Sequence, residues 1–430
     1  IALFTTTRLV QATSNFNLNL AFYDYFFERD AEMRPLTMGQ IIMKTKNALS
    51  SDSNKRNFAL LGDPALRPAI PNYQVVTTSI NGVDIDEFND TVGARSRVTV
   101  TGIVRDHNGN KITNFRGKLY PTVYDKKMTY FTRGNDGKPP LEYTEQMNVL
   151  FRGQTSVVDG DFSFSFIVPV DIAYFFGNGK ISYYAHNYQT DAHGHYSDLI
   201  IGGSSDSEIN DIDGPEISLF MNSDDFIAGG ITDENPIMLA YVSDSSGINT
   251  VGSGIGHDII AILDENTQNS IVLNDYYQSN LDDYTSGSIN YPFSNLDLGP
   301  HTLSLKVWDV LNNSSIAYTD FIVARSHELV IDQVFNYPNP FSTNTQFYFN
   351  HNQPNVPMDV IIQVFTVSGK LVKNIEAVVI SDGFRSQPIS WNALDDFGDR
   401  LAKGVYIYKL MVKAPNGNIA QQTEKLFILN

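Results

Sequence analysis

Two hydrophobic periods divide the chain. As far as residue 71 the pattern is that of a buried strand and amphipathic helices. The opening "IALFTTTRLV" is a run of the kind found in a core strand from the middle of a sheet. "NFNLNLAFYDYFFER" then predicts a helix from about Asn15, and "TMGQIIMKTKNAL" predicts a second. Thr37 is the N-cap of that second helix, and Gln40, three residues on, completes a capping box. Met38, Ile41, Ile42, Thr45, Ala48 and Leu49 fall on one stripe at helical spacing. "NFALLGDPALRPAIP" closes the unit with a strand over residues 58–61 that runs into Gly62, Asp63 and Pro64. Strand, helix, helix, strand is the expected tail of an α/β sheet whose earlier strands precede Ile1, so the chain reads as cut from a longer one.

From Tyr73 onward the period is two. "RVTVTGIVRD", "DGDFSFSFIVP" and "GKISYYAHNYQ" alternate across strands and are punctuated by Asn-Gly, Asp-Gly and Gly-Asn turns, which predicts a β-sandwich over 72–203. A linker, "GGSSDSEINDIDGP", leads to a second sandwich over 213–325, where "LDLGPHTLSLKVWD" resembles the late strands of an immunoglobulin-like fold. Its expected role is spacing. The last hundred residues, 327–430, form a third set of strands joined by Gly and Asn turns. Pro338 and Pro340 belong at an edge or outside its ladder, because proline cannot donate a ladder hydrogen bond. The expected fold class is mainly β.

Composition narrows the chemistry. The net charge is −18, and residues 203–326 hold 19 Asp and Glu against Lys306 and Arg325, a balance of 2 − 19 = −17. Such a balance argues against nucleic acid, whose phosphates need clustered cations. Cys is absent, which excludes a disulfide framework, a zinc-thiolate site and a cysteine nucleophile within these residues. No stretch approaches the ~20 consecutive apolar residues that a membrane-spanning helix needs.

Four motifs at the C-terminal end, "NYPNPF", "VSGKLV", "W…D..G..LAKGVYIYKL" and "KLFIL", resemble the type A C-terminal sorting domain of the Bacteroidota type IX secretion system over residues 327–430. On that resemblance Tyr337, Pro338, Asn339, Pro340, Phe341, Gly369 and Gly404 carry the docking motif. The first 71 residues resemble the end of the gingipain-like (C25) cysteine-peptidase domain, after its catalytic Cys. In that family a caspase-like sheet presents a His and a Cys at strand ends, so the resemblance implies that both lie upstream of Ile1 and that no catalytic residue is in this chain. A caspase-like tail, two immunoglobulin-like sandwiches and a sorting domain resemble the order of the surface sortases of that system. Those enzymes remove sorting domains from cargo through a thioester and attach the cargo to anionic lipopolysaccharide at the outer-membrane surface. The implied partners are a PorV-type outer-membrane β-barrel, cargo proteins and that lipopolysaccharide. The alternative is a secreted gingipain-like or adhesin-like cargo with a cleavable sorting domain.

Local candidates each have a plainer reading. His193 and His195, with His186 and Asp191, are metal-ligand types, yet an H-x-H on a loop lacks a defined fourth ligand. Asp211 and Asp213, Asp224 and Asp225, and Asp282 and Asp283 are pairs that hard cations such as Ca²⁺ favour, although solvated loops explain them as well. "GSGIGHD" over 252–258 is similar to a phosphate loop, but a strand rather than a helix follows, so turn glycines are expected. Arg8 ends the first strand and is a candidate for lining a cleft, with a rim salt bridge as its alternative. Asp63 is expected to hold a turn, and Trp308 and Trp391 to anchor cores.

Overall fold

The computed structural model describes residues 2–49, 53–135, 137–205, 209, 211–250, 256–325 and 328–429. The chain is mainly β and gathers around four separate apolar cores. In the first unit the strand Leu3–Thr6 pairs antiparallel with Phe58–Leu61, and helices α1 (Ala12–Phe26) and α2 (Met38–Ala48) pack over them. The capping box at Thr37 and Gln40 is present in full. Helix α1 begins earlier than the pattern predicts, with Gln11 as N-cap and no side-chain cap. The apolar stripe of α2 buries Met38, Ile41, Ile42 and Thr45 but leaves Ala48 exposed at its free end. The opening strand, expected to be a core strand, is covered on one side only, and Leu3 and Leu61 stand in solvent.

The second unit is a sandwich rolled shut. Strand Gly117–Tyr124 pairs with Thr155–Val158, which pairs with Asp161–Ile167, and the ladder continues through Arg97–Arg105, Tyr73–Ile80, Asp191–Tyr196 and Lys180–His186. Lys180–His186 then returns to Gly117–Tyr124 over seven residue pairs, so the sheet has no free edge along that ring. Strict alternation makes this possible: in Arg97–Arg105 every second position, Val98, Val100, Gly102 and Val104, faces the core, with Phe162 filling the space over Gly102. The tightest approach is at Gly194, where a Cβ would lie 1.9 Å from the Val75 carbonyl oxygen; no other residue fits there. A two-stranded hairpin, Met128–Phe131 with Glu142–Glu145, projects from this body.

Two sheets enclose the third core. One contains Glu216–Met221, Ile237–Ser243, Ser286–Pro292 and Tyr277–Ser279. The other contains Gly230–Thr232, Ser314–Val323, Gly299–Trp308, Ile260–Leu263 and Ile271–Val272. Trp391 is a core residue of the fourth unit as expected, buried with its indole N–H donating to the Leu394 carbonyl. Trp308 is not a core anchor: Leu303, Leu305 and Val307 take the inward positions of its strand, so period two puts Trp308 on the outer face. There its ring lies between His257, 4.4 Å away, and the Lys306 ammonium, 4.1 Å away.

The fourth unit pairs Ile331–Tyr337, Thr345–His351 and Ile389–Trp391 in one sheet, facing a second of Leu371–Val379, Met358–Thr366, Gly404–Lys413 and Ile419–Ile428. Strand Ile331–Tyr337 ends immediately before Pro338, so both prolines lie outside the ladder.

Candidate functional site

The residues singled out by the sequence fall at four places. Arg8 stands exposed just beyond Leu3–Thr6, where its N–H donates to Thr6 Oγ1, and no ion pair holds its guanidinium among the described residues. The rim salt bridge is therefore absent there. Beside this strand is a groove of about 440 Å³ floored by Phe4, Phe22, Phe26 and Met38 and edged by exposed Leu3, Tyr23 and Leu66. Exposed apolar surface in one contiguous groove marks a contact surface. Asp63 holds a turn, accepting from the Ala65 N–H at 2.8 Å. The turn leads to the junction with the barrel, where Arg29 donates to the Met33 and Pro71 carbonyls.

His193 and His195 lie on the strand Asp191–Tyr196, not on a loop, and both point outward. Burial first, and then the charges of Arg29 and His107, hold the His193 imidazole below its ordinary pKa. No acidic or imidazole group joins the two as a metal cluster among the described residues. Of the carboxylate candidates, Asp211 alone takes part in one. Its ligand oxygen and those of Asp244 and Asp309 all lie within 4.8 Å of one another, a spacing that a hard cation accommodates; Asp213 is not among them. Burial raises the Asp244 and Asp309 pKa values, and the neighbouring carboxylates add to it. Asp309 was missed from sequence. Its only local signal is the Asx turn of "WDVLNN", in which it accepts from the Leu311 and Asn313 N–H groups. Of residues 252–258, 252–255 lie outside the described residues, and Gly256 sits in a turn with φ 95°.

Asp282 is exposed, as a loop acid would be, but it is also bonded across the junction. It crosses to the barrel, where Thr155 Oγ1, the Ser156 N–H and Ser156 Oγ donate to its carboxylate at 2.7, 2.6 and 2.7 Å. Its own N–H donates to the Gln154 carbonyl, and Arg152 reaches Asp275 beside it. Desolvation works to raise the Asp282 pKa, but the bonds from Ser156 and Thr155 hold it below the ordinary carboxylate range. A second latch joins the same two units: Asp171 of the barrel meets His257 Nδ1 at 2.6 Å and accepts from the Asn249 and Asn312 amides. Both sets of hydrogen bonds tie the barrel to the acidic sandwich. Asp282→Ala should weaken this junction by about 2 kcal/mol, allowing for solvent screening, and broaden the distance distribution between spin labels on the two units. An unchanged distribution would remove the latch.

The docking-motif residues are mostly structural. Asn339 bridges the last strand, donating to the Lys425 carbonyl and accepting from the Phe427 N–H at 2.9 Å. Phe341 is buried against Trp391 at 5.9 Å and bonds through its backbone to Phe427 and Leu429. The Pro338 carbonyl accepts from Thr345 Oγ1. Gly369 takes φ 84° in the turn before Leu371–Val379, a left-handed conformation that favours glycine, and Gly404 begins Gly404–Lys413. Pro340 and Tyr337 stay exposed, Tyr337 at 69%.

Residues 1–69 match the model of Peptidase family C25. No curated protein matches the chain. Among solved structures, dimeric latent PorU from Porphyromonas gingivalis is similar over 100% of this chain at 30% identity and a TM-score of 0.41. The chain spans 41% of that structure's length. The tetra-tandem repeat in the extending region of a large adhesion protein is 12% identical, with a TM-score of 0.19 over 86% of this chain and 77% of that one. A Bacteroides ovatus mixed-linkage glucan utilization protein, SGBP-B, is 11% identical, with a TM-score of 0.25 over 83% and 70%.

Proposed function

We propose that this PorU-like chain of peptidase family C25 is the stalk and docking portion of a cell-surface sortase. In this reading residues 1–71 complete the sheet of a cysteine-peptidase domain whose Cys and His lie upstream. The observation that carries it is the pairing of a C25 match with an apolar groove and strand edges that these residues leave uncovered. A sheet half covered in this way needs further strands and helices against it.

The chain's own contribution is positional. The barrel and the acidic sandwich, latched at Asp171 and Asp282, set the distance between the peptidase domain and residues 327–430. Those last residues dock through Tyr337 and its neighbours on a PorV-type outer-membrane β-barrel. The whole protein would remove sorting domains from cargo and join the cargo to anionic lipopolysaccharide at the cell surface.

With no thiol anywhere in the sequence, purified residues 1–430 should leave a sorting-domain substrate uncut, while the longer protein cleaves it. Cleavage by residues 1–430 alone would refute the division of labour. Mass spectrometry of the surface-bound protein supplies the second check. Retention of residues 327–430 is expected of the sortase, and loss of that region would make the chain cargo instead.

A further inference from the structure

Residues 1–71 meet the barrel at a sparse junction. Their apolar core is separate from the barrel core, and no helix or strand of the first unit packs along a barrel strand among the described residues. What joins the two is the passage through Pro71 and Asn72 and the groups around it. Register fixes the geometry there. Gln74 pairs with Arg105 on one side and with His193 on the other, so two steps back Asn72 lies between His107 and Asp191. The Asn72 N–H donates to the Asp191 carbonyl at 3.1 Å, and the Asn72 backbone meets the His107 ring. From the first unit, Arg29 donates to the Pro71 carbonyl at 2.8 Å and to the Met33 carbonyl at 2.8 Å. These bonds hold the chain where it leaves one unit and enters the other.

The junction sets one fixed cation against two imidazoles. Arg29 makes no ion pair among the described residues, because the carboxylate beside it, Asp30, is taken by Arg34 and Arg67. The Arg29 charge reaches both His107 and His193, and His107 adds to it at His193. His107 Nε2 is buried without a partner among the described residues. The opposing carboxylates are Asp106, which faces His107 but is held in its own turn by the Asn108 and Asn110 N–H groups, and Asp191, which faces His193. His195 also faces His193, and Arg105, in the same row, donates to the Gln74 side chain. Burial first, and then Arg29, hold both imidazoles below their ordinary 6.5.

We propose that this junction is an acid-released clamp, docked while His107 and His193 are neutral and freed when their protonation gathers three cations around Asn72. Once the units part, both imidazoles regain water and leave Arg29 behind, so the undocked state binds protons more readily than the docked one. The docked state is therefore fully favoured above about pH 6.5 and loses ground as the pH falls below it. Because so little else joins the units, the few bonds at Pro71 and Asn72 decide whether residues 1–71 keep a fixed orientation on the barrel. The inference goes beyond the sortase reading and does not depend on it: the clamp is tested on residues 1–430, whereas the peptidase assay needs the longer protein, so either can fail alone.

The test is pulsed electron spin resonance on residues 1–430, with spin labels on Asn17→Cys and Val158→Cys, exposed sites on the two units of a chain that has no cysteine of its own. One narrow distance population is expected at pH 7.5, and the share of displaced distances should rise at least about threefold at pH 5.5. A pair within the barrel, Val158→Cys with Gln189→Cys, should keep one distance throughout, which separates release of the clamp from loosening of the barrel. With His107→Gln and His193→Gln combined, the distribution at pH 5.5 should match that at pH 7.5; if the double variant is undocked at both, each single change takes its place and should halve the response or more. Proton NMR supplies a readout that a merely structural role would not move: both imidazoles should titrate below 6.5 in the parent, and closer to 6.5 in Arg29→Gln. A distribution indifferent to pH, a full pH response in the histidine variants, equal broadening within the barrel, or titrations that Arg29→Gln leaves in place would each overturn the proposal.

Discussion

Lys126→Met is expected to destabilise the barrel by about 3–5 kcal/mol, because it strands a buried carboxylate. Asp125 and Lys126 are both almost wholly buried, with the ammonium 2.7 Å from Asp125 Oδ1 and 4.9 Å from the centre of the Phe175 ring. The carboxylate keeps its bonds from the Lys126 and Ala173 N–H groups after the change, but two amides do not neutralise a charge out of water. Asp125→Asn combined with Lys126→Met removes both charges and should recover most of the loss. Scanning calorimetry of the two variants measures the difference. Equal destabilisation by the single and the double change would show that packing, not the stranded charge, sets the cost. The site also anchors the projecting hairpin, since Gln146 donates to the Asp125 carbonyl, so hydrogen exchange in residues 128–145 should rise in the single variant.

Acid is expected to loosen the fourth unit by about 3 kcal/mol between pH 7 and pH 4, through His351. Its side chain is wholly buried, and burial pushes the imidazole down from 6.5 to about 4. Nδ1 accepts from the Gln353 N–H, so the proton is on Nε2, which has no partner among the described residues; a second proton must go to Nδ1 and break that bond. The unfolded chain therefore takes up a proton before the folded one does. Stability is full above the unfolded value of 6.5 and is lost as pH falls through the window down to about 4. Urea unfolding of residues 1–430, followed by Trp391 fluorescence at pH 7, 5 and 4, tests this. His351→Gln should flatten the dependence, and an equal slope in both proteins would place the titration elsewhere.

Much of the architecture was legible because it is local. The Thr37 and Gln40 capping box needs only its own four residues, and it formed as read. Alternation in "RVTVTGIVRD" and "DGDFSFSFIVP" identified strands whose apolar faces are the observed cores, since side chains on a pleat must alternate whatever lies opposite. The same rule, taken one position further, would have placed Trp308 outside its core. Proline chemistry kept Pro338 and Pro340 out of the ladder. The candidate site was less legible. Asp282 reads as a loop acid until Thr155 and Ser156, 127 and 126 residues away, are beside it. Asp309 looks like an ordinary turn residue until Asp211 and Asp244 approach.

By itself the sequence determined many of the elements, the mainly β class and the absence of any thiol, because these depend on near neighbours and on composition. Only the tertiary structure decided that the first sandwich closes on itself through Lys180–His186 and Gly117–Tyr124, which acids become latches, and that Tyr120, Tyr184 and His193 share one row. Pairing partners in a sheet are chosen by the packing of whole faces and by register. A strand's own alternation says which side chains point outward, but not what stands beside them.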